Sequence, residues 1–541
     1  MTAILSTCIL FLGIYFIMPR LYLSKALTVK SNEDKNALYF TALIVLAAIV
    51  HIICAAVYPG HKTDMNCFSA WADMVFNDGI SNFYTSDAFH DYPPGYMYVL
   101  YAIGALKKLF GLTTAYTLVK MPAIICSLLT GYFIYKIALK HEFGMKTASV
   151  LAALYLFNPS VIVNGSLWGQ VDSVYTLTTL LMVYLISEKK MIASYFVFAI
   201  CIFIKPQSLI FTPVLILGIV ENLFLDDFDI RKIIKNLLYG LCAIGMMFLL
   251  ALPFGISHVI DQYMITVTEQ YPYMTVNAFN LWGAFGNNWE ALTTVSSITG
   301  YVFIALITLY SAYIFLKCKD KSKYYFTAAL LSFLTYMLSV KMHDRYAFPA
   351  MAFLLMAFII NRNFRTYGLY TLVTLSQYFN TVWVLFIYEQ DINLYYKSPV
   401  IVAASIINVC LTLFMIVSAY SQYAKNRVTV RKIAQVMKTS VVRSEYHYKC
   451  DIKPTKKLPG LTKADIIAMA VITIIYSVVA LYDLGDMKAP ETEAEIINEP
   501  LRIDLREEAD IKKLKFFNGS YNIDASRKLI VNFENENKEV T

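Results

Sequence analysis

Charged residues are scarce in this chain, and their scarcity excludes an ordinary soluble domain. Only 16% of the 541 residues are charged, whereas 58% are hydrophobic, and the mean hydropathy is +0.54. Soluble domains contain about 25% charged and about 45–50% apolar residues. The formal net charge of +8 lies mostly in short loops between apolar runs. It therefore indicates membrane orientation and contact with lipid head groups, and no nucleic-acid partner is expected.

Paired cysteines are also lacking. The nine Cys residues show no regular pairing in the sequence, and only Cys67 falls in a predicted outer loop. This pattern indicates neither a disulfide framework nor a zinc site. The first apolar run has no basic region before it and no clear cleavage site after it. Residues 3–18 are therefore expected to be a retained span rather than a signal peptide.

Apolar runs recur along most of the chain, and most are long enough to cross a bilayer. A hydrocarbon core of about 30 Å needs about 17–25 apolar residues in a helix. The runs predict an all-α polytopic membrane protein with about 13–14 transmembrane helices. The predicted spans lie near residues 2–18, 38–57, 113–136, 147–163, 171–187, 191–204, 208–222, 235–253, 298–317, 324–340, 346–361, 366–388, 399–420 and 464–483.

Lys and Arg divide the loops into two sets. One set is basic and includes residues 425–463, whereas residues 255–300 of the other set contain no Lys or Arg. Because basic loops stay in the cytoplasm, the bare loops are expected on the extracytoplasmic face. The predicted location is the cell (plasma) membrane, with an active site on the outer face. Residues 95–111 carry Lys107 and Lys108 and are expected to form a helix on the outer leaflet, the alternative being a further span.

Composition divides the chain into five predicted parts. Residues 1–37 form an extra N-terminal span with its cytoplasmic loop, and residues 38–420 form the transmembrane catalytic core. A basic cytoplasmic loop (421–463) and a last span (464–483) follow. The extracytoplasmic tail, 484–541, alternates apolar residues around turn residues, which predicts short strands. It is similar to the opening of a discoidin-like β-sandwich but too short to close one, so a truncated domain is one interpretation.

Two carboxylates frame the first large outer loop. Asp64 follows the second predicted span, and Asp91 begins an Asp-Tyr-Pro-Pro turn at the far end of the loop. The two prolines stiffen the backbone beside Asp91. Partial burial at the lipid interface raises a carboxylate pKa toward that of a general base, so both residues are candidate catalytic groups. The alternative is a solvated acidic loop. No role is assigned to the other acids of the loop, Asp73, Asp78 and Asp87.

The segment from Trp168 to Ser173 connects two spans on the outer side. Aromatic and amide side chains suit the faces and hydroxyls of sugars, so Trp168 and Gln170 are candidate sugar or acceptor contacts. Asp172 is a further candidate. It also lies where a helix is predicted to begin, and a helix N-cap is the alternative interpretation of its carboxylate.

Lys205, Pro206 and Gln207 interrupt a long apolar stretch. A Lys at membrane depth is costly unless it meets a counter-charge or a watery cavity. The broken helix favours a cavity, with Lys205 binding a donor phosphate and Gln207 a sugar or acceptor. Snorkelling of Lys205 to the interface is the alternative.

Residues 341–345 place four ionisable side chains between two spans. Lys341 and Arg345 lie on the face that otherwise lacks positive charge. They are therefore expected to serve an anionic ligand, with Arg345 and His343 as candidate phosphate-binding groups. An internal ion pair between Asp344 and Arg345 is the alternative.

A loop at residues 269–290 mixes aromatic and amide side chains without any positive charge. This composition suits contact with carbohydrate or lipid, although an interfacial aromatic belt has the same composition. The candidate ligand contacts in this loop are Tyr271, Asn277, Asn280 and Trp282.

These motifs, taken in their order and on one side of the membrane, resemble those of the GT-C glycosyltransferases. They are most similar to bacterial relatives of the GPI-anchor mannosyltransferases and of the dolichyl-phosphate-glucose glucosyltransferases. The resemblance covers about residues 38–420. The chain departs from some members in having His343-Asp344-Arg345 where they have paired histidines.

The resemblance implies an inverting hexosyltransferase. It would move a mannose- or glucose-like hexose from a polyprenyl-phosphate donor to a glycan, lipid or protein acceptor at the outer face. Asp64 would be the general base and Asp91 would position substrate, while Lys205, His343 and Arg345 would stabilise the leaving phosphate. The scheme requires no metal or other cofactor, although it is compatible with a divalent metal.

A transporter or flippase of lipid-linked saccharides is the alternative function. Such a protein also needs many spans, a basic group at membrane depth and aromatic contacts to sugars. Transporters often show internal repeats and polar groups that open to both faces. No clear repeat is present, and the cytoplasmic loops offer no matching cluster, so the enzyme is the preferred prediction.

Overall fold

Helices form almost all of the regular structure in the part of the chain that is described. The structure, a computed structural model, describes residues 17–26, 38–86, 88–113, 115–226, 230–266, 270–387 and 398–425. All of these residues belong to one compact unit, Met1–Lys457. Most of the first predicted span, nearly all of the basic loop, the last span and the β-rich tail lie outside the described residues.

The helices follow the predicted apolar runs closely. Those of the first half are α1 (Met18–Ala26), α2 (Leu38–Val57), α3 (Lys62–Asp73), α4 (Pro94–Leu109), α5 (Tyr116–Lys140), α6 (Met145–Leu156), α7 (Asp172–Ser187), α8 (Met191–Ile204) and α9 (Thr212–Val220). Those of the second half are α10 (Ile230–Ala251), α11 (Ile256–Met264), α12 (Leu281–Ala284), α13 (Thr294–Lys317), α14 (Ser322–Leu338), α15 (Phe348–Asn361), α16 (Phe364–Ile387) and α17 (Pro399–Ala419).

Single turns, 3₁₀ segments, π segments and two short strands complete the described elements. The single α-helical turn is Pro159–Val161, the 3₁₀ segments are Ile80–Thr85, Pro206–Phe211 and Leu252–Phe254, and the π segments are Met74–Asp78, Ile162–Trp168, Glu221–Asp226 and Tyr420–Ala424. The strands β1 (Thr275–Val276) and β2 (Met342–His343) pair in parallel.

Six described helices are long and apolar enough to cross a membrane. They are Leu38–Val57, Tyr116–Lys140, Pro206–Leu223, Ile230–Phe254, Thr294–Lys317 and Pro399–Ala424. Met145–Leu156 and Pro159–Trp168 form a further candidate that is bent by 43°. Several other predicted spans are shorter apolar helices, because breaks such as that at Lys205 divide the apolar stretches. The all-α polytopic class is confirmed.

The centre of the fold is built from helices that are buried on every side. Residues 348–359 of α15 are all buried, and most of α14 is buried as well. A helix that is apolar all round belongs in the interior. In contrast, α10 and α13 leave large apolar side chains exposed, such as Leu249 and Leu309, as expected for lipid-facing spans. The turn that carries Arg345 connects α14 to α15 and is therefore held between two buried helices.

The segment predicted as an outer-leaflet helix does form a helix, α4. Its Lys107 is 2% exposed, and the ammonium group lies 2.6 Å from a carboxylate oxygen of Asp73 and 2.9 Å from Ser69 Oγ. Asp73, to which the sequence assigned no role, thus neutralises a buried Lys. This pair joins α4 to α3, the helix that carries Asp64.

Candidate functional site

Asp64 lies in the first turn of α3, where two side chains orient its carboxylate. Oδ2 accepts hydrogen bonds from Trp168 Nε1 at 2.6 Å and from Gln170 Nε2 at 2.5 Å. His61 Nδ1 is 3.4 Å from the same oxygen. Trp168 and Gln170 are buried, whereas the Asp64 side chain remains 27% exposed. The carboxylate is therefore held rigidly at an opening.

A tight turn brings Trp168 and Gln170 to Asp64. The backbone N–H groups of Gly169 and Gln170 both donate to the carbonyl of Asn164, at 3.1 and 3.0 Å. Gly169 has φ +95°, a conformation that side-chain-bearing residues rarely adopt. A Cβ atom at Gly169 would lie 2.4 Å from Met65 Cε, the end of a flexible side chain that would have to move, so the positive φ is the main reason for glycine here.

Gly169→Ala is expected to lower the free energy of unfolding by about 1–3 kcal/mol through strain at the turn. The Met65 side chain would also have to move to make room for the new Cβ atom. Gly111→Ala is the control, because Gly111 has φ +63° at the end of α4 and open space where a Cβ atom would lie. Denaturant titrations of both variants in detergent check this. If both variants lost the same free energy of unfolding, the positive φ would explain the whole effect, and a role for the Met65 contact would be contradicted.

Asp172 is the centre of a buried ion cluster. Its Oδ1 is 2.5 Å from Lys205 Nζ, and its Oδ2 accepts a hydrogen bond from Asn164 Nδ2 at 3.0 Å. Asp172 is 1% exposed and Lys205 is 4% exposed. The N-cap interpretation of Asp172 is wrong: Val171 is the N-cap of α7, and no side-chain cap bond forms there. Lys205 does not snorkel, because its charge is neutralised inside the protein.

Arg345 connects this pair to Asp64. Its Nε is 3.6 Å from Asp172 Oδ2, and one terminal nitrogen donates to Asp344 Oδ1 at 3.3 Å. The guanidinium also lies over the Trp168 ring, 5.2 Å from its centroid. Burial lowers the pKa of Arg345, but the nearby carboxylates raise it more, so the group stays charged. Nε is buried and faces Asp172, but the side chain as a whole is 15% exposed, so N–H groups of the terminal nitrogens remain for a ligand.

Two carboxyl groups of the cluster titrate near neutrality. Burial, and then the charge of Asp64, raise the pKa of Asp91 to about 7 against the opposing effect of Arg345. Burial also raises the pKa of Asp344 to about 7, with Arg345 again opposing the shift. Asp91 Oδ1 and Asp344 Oδ2 are buried and lack a hydrogen-bond partner. When protonated, each group can donate a hydrogen bond to an oxygen-rich ligand.

His343 lies at the edge of the cluster and is uncharged. Burial, followed by the charges of Arg345 and Lys205, holds the pKa of His343 well below its ordinary value. The predicted phosphate contact is therefore available only as a neutral imidazole. Its ring packs edge-to-face against Tyr271, with centroids 4.5 Å apart. Gln207 donates to the hydroxyl of Tyr346 at 2.8 Å, beside the same turn.

The other predicted contacts of the aromatic loop stabilise the loop itself. Asn277 Oδ1 accepts hydrogen bonds from Asn288 Nδ2 and Trp289 Nε1 at 3.1 and 2.9 Å. Asn280 caps α12 by accepting from Gly283 N at 3.1 Å. Trp282 Nε1 donates to the carbonyl of Leu338 at 3.2 Å, at the end of α14. Asn277 and Asn280 are buried, so these bonds hold the loop rather than a ligand.

Trp168 was predicted to contact a sugar or acceptor, but in the structure it contacts Asp64, His61 and Arg345. Its ring is 2% exposed and stacks on His61, with centroids 5.1 Å apart, while Arg345 lies over the ring. Trp168 therefore offers no open stacking surface for a sugar, and it acts by orienting Asp64.

Sequence reasoning missed several members of the cluster. His61, Tyr346 and Asn164 received no role, although each contacts a predicted residue. The spacing of His61 and Asp64, three residues apart at a helix start, was a usable signal. Asp344 was considered only as a partner of Arg345. That pairing is present, and it is one of two ion pairs that Arg345 makes.

The electrostatic balance of the cluster sets what it can bind. The cluster contains four acidic and two basic side chains; the acids are Asp64, Asp91, Asp172 and Asp344, and the basic residues are Lys205 and Arg345. Oriented carboxylates accept sugar hydroxyls, and the spare Arg345 donors suit phosphate. Within the described ranges, no group of three or more His, Cys, Asp or Glu residues is arranged to hold a metal ion.

Part of the chain that contains the candidate site matches the model of a known family. Residues 61–275 match the model of the family described as GPI transamidase subunit PIG-U. The match spans less than half of the 541 residues, yet it includes Asp64, Asp91, Asp172 and Lys205. No curated protein matches the chain closely enough to count as a relative. A multi-pass membrane protein is consistent with both the match and the helices.

The prediction of a hexosyltransferase with a polyprenyl-phosphate-sugar donor is wrong. The family whose model covers the first half of the site is described as a transamidase subunit, not as a sugar transferase. The match supports neither the glycosyltransferase and mannosyltransferase assignments nor the flippase alternative. The motifs were informative about which residues come together, but a shared arrangement does not determine the reaction.

Proposed function

We propose that this chain is a multi-pass membrane subunit that binds the head group of a glycosylated, phosphate-linked lipid. Binding would take place at the cluster around Asp64 and Arg345, without transfer of the sugar. The observation that carries the proposal is the oriented, partly exposed Asp64 carboxylate in one electrostatic cluster with Asp91 and the partly exposed guanidinium of Arg345.

The sugar would be bound mainly by carboxylates. Asp64 has no freedom to rotate away, because Trp168 and Gln170 hold one oxygen, and its exposed remainder can accept hydroxyl groups. Protonated Asp91 can donate to a ring or hydroxyl oxygen, and Gln207 borders the same region through Tyr346.

The phosphate would be bound by Arg345. A guanidinium has five N–H donors in a planar arrangement that matches phosphate oxygens. Among the described residues, one terminal nitrogen donates to Asp344 and Nε faces Asp172 at 3.6 Å, which leaves N–H groups of the terminal nitrogens for phosphate. Lys205 forms an ion pair with Asp172. It would therefore contribute to phosphate binding indirectly, through the electrostatic field of the cluster and by holding Asp172 in place.

The family match supports a role as a subunit. The matching family is named for a GPI transamidase, and its members are described as subunits of it. By analogy, this chain would present a glycolipid to protein partners in the same membrane. The bias of Lys and Arg supports a site on the extracytoplasmic face of the cell membrane.

Binding of head groups to purified, full-length protein in nanodiscs tests the proposal. The two probes are a polyprenyl-phosphate mannose and a glycosylated phosphatidylinositol, which share a sugar and a phosphodiester but differ in lipid. Asp64→Asn should weaken binding of the preferred probe at least about tenfold, the effect of losing one charged hydrogen bond. Asp78→Asn, at an exposed acid in the same outer loop, should bind as wild type does.

Two results would overturn the proposal. Equal affinities of wild type and Asp64→Asn would remove the site, and release or transfer of the sugar by wild type would make the protein an enzyme. The probe that binds more tightly identifies the lipid class.

A further inference from the structure

An apolar cavity opens at the outer ends of α2 and α5, beside the head-group site. Its volume is about 630 Å³, within the range of ligand pockets, about 300–1,000 Å³. The lining is mainly apolar and includes Ala56, Val57, Tyr58, Leu112, Thr117 and Met121. Resting on the proposed function, we propose that this cavity holds the part of the lipid chain nearest the bound head group.

The cavity wall and the head-group site share one segment of chain. Tyr58 lines the cavity, and three residues later His61 contacts Asp64. Residue His61 is fixed to the Trp168 turn by a hydrogen bond from its N–H to the Trp168 carbonyl, at 3.3 Å. On the opposite wall, the hydroxyl of Tyr116 donates to Asn66 Oδ1, in the same helix as Asp64. Only a few residues of chain therefore separate the cavity wall from the site at Asp64.

A buried Lys holds the wall in place. Lys120 is fully buried, and its ammonium donates to the carbonyls of Tyr58 at 2.5 Å and Ala55 at 3.3 Å. These carbonyls belong to the last turn of α2 and the residue just beyond it, where the helix leaves acceptors unsatisfied. The cavity is therefore a preformed feature and not a gap that closes when the helix end frays.

The cavity fits a hydrocarbon chain better than it fits a protein helix. A helix with its side chains is about 10–12 Å across, too wide for a cavity of this volume. Val57 and Leu112 line the cavity and are 78% and 44% exposed, so it is open toward the apolar surface of the spans. A chain can enter from the bilayer while its head group stays at Asp64.

Photocrosslinking combined with binding tests the inference. The probes are the two glycolipids named above, each with a diazirine in the first few carbons of the chain, and their deacylated, water-soluble head groups. Crosslinks should map to residues 55–58 and 112–121. Ala56→Phe and Thr117→Phe, on opposite walls, should weaken binding of the full lipid about tenfold and leave the deacylated head group unaffected. Ile53→Phe, at an exposed position of α2 outside the lining, is the control.

The outcomes separate the two proposals. If the head group binds and depends on Asp64, but crosslinks fall on other spans or neither Phe variant weakens binding of the full lipid, the cavity is not the chain site and the proposed function stands. If no head group binds, the proposed function fails, and this inference fails with it.

Discussion

Asp172→Leu is expected to lower the free energy of unfolding by about 3–5 kcal/mol, because it leaves the Lys205 ammonium buried without a counter-charge. The carboxylate is 2.5 Å from that ammonium, and both side chains are almost completely buried. Arg345 would lose one of its two carboxylate partners at the same time. Titration with a denaturing detergent, followed by tryptophan fluorescence, measures the loss.

The double variant Asp172→Leu/Lys205→Met is the control that isolates the cause. Replacing both members of a buried ion pair by apolar residues is often nearly neutral. The double variant should therefore recover at least half of the stability that the single variant loses. A single variant as stable as wild type would contradict the buried pair, and a double variant that is less stable than the single would contradict the charge-based explanation.

The affinity for a phosphodiester-linked sugar is expected to fall by about tenfold or more between pH 6 and pH 8. Burial raises the pKa of both Asp91 and Asp344 to about 7, so both are mainly neutral at pH 6 and mainly ionised at pH 8. An anionic ligand favours the protonated carboxyls, so binding takes up protons and weakens as the pH rises. The charge of a phosphodiester does not change in this range. His343 stays neutral throughout, because its pKa is already well below its ordinary value.

Affinities of wild type and Asp91→Asn at pH 6, 7 and 8 check this expectation. The Asn side chain cannot ionise, so the variant should show a clearly smaller pH dependence, with the remainder arising from Asp344. Tighter binding at pH 8 than at pH 6, or an unchanged slope in Asp91→Asn, would show that these carboxyls do not face the phosphate.

Much of the fold could be predicted from apolar periodicity and from the breaks in it. The predicted span 191–204 has the same bounds as α8, which ends where Lys205 and Pro206 interrupt the apolar run. Within the described residues, six helices are long and apolar enough for a full span, and several other predicted spans are shorter apolar helices. An apolar stretch shows that a segment avoids water, but it does not show whether one helix or two shorter ones cover it. The bend at Asn158 and Pro159 illustrates the difference.

The members of the site could be predicted in part, but their pairing could not. Common sidedness brought Asp64, Trp168, Gln170 and Arg345 into one expected region, and the structure brings them into contact. The pairing of Asp172 with Lys205 depends on how a helix start and a helix break meet in three dimensions. Ligand binding was the preferred role of both cations, with an Asp344–Arg345 pair as the alternative, and each cation has a carboxylate partner within the protein. The predicted hexosyl transfer was wrong, since residue types alone do not distinguish ligand binding from catalysis.

The two-residue pairing of β1 with β2 connects the aromatic loop (residues 269–290) mechanically to the turn that carries Arg345. Thr275 pairs with Met342 and Val276 with His343, and the N–H of Lys341 donates to the carbonyl of Met274 at 3.1 Å. The loop therefore cannot shift without carrying along the turn whose next residues include Arg345. A partner protein that bound this loop from outside would move the guanidinium of Arg345 without contacting the proposed glycolipid ligand.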